Sequence, residues 1–137
     1  MDLATFGAIM SYALDLETRT VAFYEAAAQG DLEKPFTDLL RNARKRATRV
    51  ERMRREMVNE MILEPIAGMD GDDYLVEPSP EGGEEQILDQ ALLLAKATFQ
   101  FYNDAAEKIP VREVVQLCKR MAKESTRRIA ELEALKG

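Results

Sequence analysis

The sequence predicts an all-α protein of four helices, arranged as two helical hairpins joined by a long crossover. Three observations carry that expectation. One helical phrase is written twice: between Ala13–Ala28 and Ala91–Ala106, 78 residues later, half of the sixteen positions are identical. Apolar residues recur at steps of three or four through four separate stretches. A segment rich in proline and glycine divides the chain near its middle. One hairpin cannot bury its own apolar face, so a repeat of this length implies two hairpins packed together.

The first helix, about residues 2–29, carries Phe6, Met10, Ala13, Leu14, Glu17, Val21, Tyr24 and Ala28 on one stripe, and Gly30-Asp31 ends it. The second, about residues 35–62, starts near Pro35, a residue tolerated in a first helical turn. Its stripe is Phe36, Leu39, Leu40, Ala43, Ala47, Val50, Met53, Met57 and Met61. Residues 64–83 then hold Pro65, Gly68, Gly71, Pro78, Pro80, Gly82 and Gly83. A connection of that length is long for a compact domain and suits a crossover along the outside of a bundle. The third helix, about 84–108, opens at Glu84 or Glu85 and turns Ile87, Ala91, Leu94, Ala95, Thr98, Tyr102 and Ala105 inward. The fourth, about 110–135, follows Pro110 with Val111, Val114, Val115, Cys118, Met121, Ala122, Ser125, Ile129 and Leu132.

At 137 residues the chain is expected to form one domain and to bury roughly two thirds of its unfolded surface. The net charge of −6 disfavours non-specific binding to nucleic acid. A single cysteine, Cys118, excludes an internal disulfide and any zinc or iron centre built on paired cysteines, and fits a reducing cytosol. The segment Met1–Phe6 is apolar without a basic n-region, a poor signal peptide, and no apolar run reaches bilayer-spanning length. A cytoplasmic protein with no membrane partner is the expectation.

Glu17 lies on the inward stripe of the first helix, where a carboxylate is rarely placed unless it is paired or binds metal. Leu16-Glu17 followed by Phe23-Tyr24 and Ala26-Ala27-Ala28 resembles the first helix of the rubrerythrin branch of the ferritin-like superfamily. Phe101-Tyr102-Asn103-Asp104-Ala105-Ala106 resembles its third helix. The resemblance covers nearly the whole chain and implies a ferritin-like four-helix bundle, commonly a homodimer, with a di-iron site in its core. That site takes one glutamate from each of two helices and a Glu-x-x-His pair from each of the other two.

Carried over residue by residue, those ligand positions read Glu17 in the first helix and Ala95 in the third. The second and fourth helices align through Ala43 and Ala122, with Arg41/Arg120 and Arg49/Arg128 identical. The pair positions become Arg46 and Arg49 in one, Ser125 and Arg128 in the other. Shifted registers, with Ala43 and Arg46 or Ala47 and Val50, restore no glutamate or histidine; the chain has none of the latter. Arginine offers a metal no lone pair. The expectation is therefore a family metal site that binds no cofactor, with Arg46, Arg49 and Arg128 supplying positive charge, Glu17 accepting, and the Tyr24 and Tyr102 hydroxyls completing the hydrogen bonds. Three arginines against one glutamate leave excess charge. Either Arg49 snorkels to the surface or a small anion enters the core.

The implied function is a non-catalytic binding or structural module, with a small anion or a protein as ligand. The alternative is a non-haem di-iron peroxidase or ferroxidase using Glu17 with Glu124 or Asp15, whose helical phases argue against convergence. A DNA-protecting mini-ferritin analogue is a third reading. It would use Arg41, Arg44, Lys45, Arg46, Arg49, Arg52, Arg54 and Arg55, but helical wrapping spreads these around the helix, and acids from Asp70 to Glu85 are available to pair them. Asp70-Gly71-Asp72-Asp73 lacks the twelve-residue calcium-loop pattern and reads as a solvated turn. Met53, Met57 and Met61 read as core filler, and Cys118 as an inert core residue.

Overall fold

The computed structural model of the chain describes residues 2–57 and 66–137. Its long elements are α1 (Phe6–Ala27), α2 (Glu33–Glu56), α3 (Glu84–Lys108) and α4 (Arg112–Lys136). Among the described residues there is no strand, only an isolated bridge between Asp2 and Asp70. α1 packs chiefly on α2, and α3 chiefly on α4; lighter contacts join α1 to α3 and α2 to α4. No described helix is long and apolar enough to cross a membrane.

Local chemistry sets the ends of these helices. α1 begins at Phe6 rather than near residue 2 because Thr5 caps it, its hydroxyl accepting from the Ala8 amide at 3.0 Å. Residues before the cap run extended beside the crossover: the Leu3 amide donates to the Met69 carbonyl at 2.9 Å, and the Ile66 amide to that of Ala4 at 2.8 Å. α1 ends at Ala27, and Gly30, at φ +57°, opens a short 3-10 turn that leads into α2. α2 starts at Glu33, which puts Pro35 still within the first turn, where no intrahelical amide bond is required of it. Met57 caps its other end. The expected continuation to residue 62, with Met61, lies outside the described residues. α3 ends at Lys108 because Pro110 keeps Ile109 extended, and α4 starts at Arg112 instead of residue 110, after an extended Val111.

The repeated phrase maps onto the interior. Ala13/Ala91, Leu16/Leu94, Thr20/Thr98, Phe23/Phe101, Tyr24/Tyr102 and Ala27/Ala105 are buried in both helices. Even the threonines behave alike: Thr20 and Thr98 each donate to the carbonyl four residues back, Leu16 and Leu94, at 2.8 Å.

The crossover is tied down by tyrosines. Asp70 caps a 3-10 turn at Gly71–Tyr74 by accepting from the Asp72 amide at 3.0 Å. Tyr12 of α1 donates to the Gly71 carbonyl at 2.6 Å, and Tyr74 donates to Asp104 of α3 at 2.6 Å. The Tyr12 and Tyr74 rings both pack on Phe101, with centroids 5.4 Å away in each case. Burial, then the Asp104 carboxylate, pushes the Tyr74 hydroxyl well above its usual range, so it remains a donor.

A Cβ added at Gly71 would meet the Tyr12 ring at 2.7 Å, whereas one at Gly7 would meet nothing within 4 Å. Gly71→Ala is expected to cost about 1–3 kcal/mol through displacement of Tyr12. Gly7→Ala, inside α1, should instead gain about 0.5–1 kcal/mol. Urea unfolding midpoints moving in opposite directions are the expected result; equal shifts would contradict the packing described.

Candidate functional site

Midway along the helices, the core contains charge. Glu17 of α1 and Arg46 of α2 are both 0% exposed. A carboxylate taken out of water requires a cation and donors for its lone pairs. Arg46 Nη2 donates to Glu17 Oε2 at 3.3 Å and to the Ser125 hydroxyl of α4 at 3.1 Å. Its Nε lies 3.2 Å from Glu17 Oε1, close enough for an ion pair but outside hydrogen-bond alignment. The Tyr102 hydroxyl of α3 donates to Glu17 Oε2 at 2.7 Å, and the Arg46 guanidinium sits over the Tyr102 ring, 5.6 Å from its centroid. Each of the four helices thus contributes one side chain.

The electrostatics keep these protonation states in place. Burial is the largest influence and works against the charge on Arg46, but Glu17, Tyr102 and Glu124 together offset it and the arginine's pKa is raised. Burial, and then Glu17, holds the Tyr102 hydroxyl well above its ordinary range. Tyr102 therefore donates and Glu17 accepts.

A second, incomplete half lies alongside. Arg128 of α4 is 3% exposed. Its Nη2 donates to the Asn42 side-chain carbonyl at 3.2 Å, and its guanidinium sits over the Tyr24 ring at 5.4 Å. Arg128 Nε and Nη1 find no hydrogen-bond partner among the described residues. Tyr24 enters by its ring face, where the sequence reading gave it a hydroxyl role. Its pKa is raised by burial, with Arg128 and Arg46 pulling the other way. The repeat relates Tyr24 to Tyr102 and Ala95 to Glu17, and Ala95 brings only a buried methyl group.

Arg49 turns away from this core. Its Nη1 donates to Glu124 at 2.9 Å and lies 3.5 Å from the Met121 sulfur, and Arg120 reaches the same carboxylate at 3.4 Å. Asp15 is ion-paired with Arg19 near the surface. Neither Glu124 nor Asp15 meets Glu17, and among the described residues no three acidic, cysteine or histidine side chains gather as metal ligands. A di-iron centre needs several oxygen and imidazole donors with free lone pairs. Here the one buried carboxylate among the described residues is engaged by Arg46 and Tyr102, and the neighbouring guanidinium has no lone pair. The residues present do not fit that group.

No protein-family model, curated protein or solved structure matches this chain. The chemistry of the site rests on its own geometry.

Two details escaped sequence reasoning. Asn42, 86 residues from Arg128, gave no periodic or motif signal of its own. The basic face of α2 is also less evenly wrapped than its spacing implies, since Arg44, Lys45, Arg49 and Arg52 border one shallow groove. Arg41 pairs with Asp38, Arg44 with Glu25, and Arg54 and Arg55 with Glu51.

Glu17→Ala is expected to cost about 3–5 kcal/mol by stranding Arg46, while the double change Glu17→Leu with Arg46→Met should recover most of that loss. Urea unfolding of the single and double variants checks this; additive losses would contradict the coupling.

Cys118 is buried, and burial pushes its thiol up from 9.0 to about 12. The raised value favours the protonated thiol in the folded chain. Its contribution to stability is fully present below 9.0 and is lost as pH rises toward about 12. Tyr24 and Tyr102, raised by the same cause, act in the same direction. Unfolding free energy should fall steeply with alkaline pH, and Cys118→Val should flatten the first part of that fall. Denaturant titrations across the alkaline range measure it, a flat profile being the contrary result.

Proposed function

We propose that this chain is a rubrerythrin-related, ferritin-like four-helix bundle whose di-iron site has been exchanged for a buried Glu/Arg cluster. In this reading it acts as a non-catalytic binding or structural module, cytoplasmic and homodimeric. The carrying observation is the Arg46 guanidinium, fully buried and 3.3 Å from Glu17. Removing two metal cations from a core of carboxylates leaves repelling acids, so the acids must also go or acquire a new cation. Loss of the acid at position 95 and gain of arginine at 46 and 128 together meet that requirement. The groups a catalyst would need are held in unreactive states: Cys118 and Tyr102 keep their protons, and Glu17 is ion-paired with Arg46 and accepts from Tyr102.

The test is iron content and the visible spectrum of protein purified anaerobically under iron-replete conditions. Iron far below one atom per chain and a featureless spectrum are expected. About two irons per chain would overturn the proposal in favour of an oxidoreductase with unconventional ligands.

A further inference from the structure

We infer that the cavity beside Arg128, between α2 and α4, is a binding site for a small oxyanion, a carboxylate or phosphate group. The inference rests on the charge-cluster reading above and names the ligand class for it.

Charge counting comes first. Two arginines, Arg46 and Arg128, are buried among the described residues, against one buried acid, Glu17. Glu17 is committed to Arg46 and Tyr102. Arg128 has a neutral amide oxygen and an aromatic face, and no ion pair among the described residues. A buried guanidinium stays charged, and an uncompensated charge away from water is strongly unfavourable. An anion is the group that removes this cost.

The Glu17 site indicates what form it takes. Glu17 is a carboxylate shared between a stacked arginine and a tyrosine. Arg128 lies over Tyr24 as Arg46 lies over Tyr102, but with no acid paired to it among the described residues. A free carboxylate or phosphate supplies the same oxygens, which a guanidinium fork can hold with two hydrogen bonds.

There is also room. A cavity of about 270 Å³ opens between α2 and α4, lined in part by Asp38, Asn42, Glu124, Arg127, Arg128 and Glu131. Asn42 gives its oxygen to Arg128, which leaves its amide N–H groups for a ligand. The acids here are mostly spent: Asp38 pairs with Arg41, and Glu124 with Arg49 and Arg120. Glu131 is the acid that opposes an anion, and Arg127 the second cation that favours it. The cavity exceeds the needs of a lone phosphate and admits a small organic acid.

The experiment is an NMR titration of arginine Nε–H groups in the full chain at constant ionic strength, with inorganic phosphate in one series and malonate in another. A saturable shift of the Arg128 resonance is expected, assigned by its loss in Arg128→Lys. Arg127→Gln should weaken binding roughly tenfold, and Glu131→Gln should tighten it. Both surface changes keep the test available if the Arg128 variant fails to fold. Saturation by phosphate alone or by malonate alone supports the site and separates its two possible sources of oxyanion. A linear, unsaturable shift, indifference to both surface variants, or binding only after Glu131→Gln would overturn it. An iron-free protein with no such response sinks this inference and leaves the proposed function standing.

Discussion

The structure depends on the neutralisation of one carboxylate. Glu17 is carried into the interior by the helical phase that buries Leu16 and Thr20, and once there it cannot remain alone. Arg46 and Tyr102 answer it from α2 and α3, and Ser125 of α4 accepts from Arg46. Such a cluster need not make the fold more stable than an apolar core would, because desolvating two charges offsets much of their attraction. Its effect is on geometry. Hydrogen bonds spanning all four helices tolerate less sliding than Leu-on-Leu contacts, so they hold α1–α2 and α3–α4 in one register.

That cluster is also lopsided. In α1 and α3 the same small and aromatic residues fill the same buried positions, and each tyrosine of the pair lies under an arginine. Within the repeated phrase, the buried charge breaks this correspondence at Glu17 against Ala95. One half holds the Glu17–Arg46 ion pair, and the other a stacked Arg128 guanidinium with no ion pair among the described residues.

The crossover secures the opposite end of the same arrangement. Tyr12 and Tyr74 use ring contacts to meet Phe101 and hydroxyls to reach Gly71 and Asp104. Phe101 in turn packs against Tyr102, with ring centroids 5.2 Å apart, so the aromatic cluster leads directly to the residue that donates to Glu17. The long connection and the charged core are mechanically continuous.

The helical class and its inward faces were legible in the chain because helix periodicity is a local property. Met10, Ala13 and Tyr24, or Ala91, Leu94 and Tyr102, declare their burial by spacing alone. Glu17 was also legible, as a charge in an apolar stripe. Helix ends were less so: the start of α1 depends on Thr5 and on a partner segment at residues 66–70, and pairing between distant segments leaves no periodic trace. The directions of the arginines lay further out of reach. Arg46, Arg49 and Arg128 are equivalent as letters, and a long flexible side chain can point inward or snorkel with little change in helix phase. Only the assembled helices decided that Arg46 meets Glu17, Arg49 meets Glu124, and Arg128 lies over Tyr24, because each choice turns on which acid or ring a neighbouring helix brings within reach.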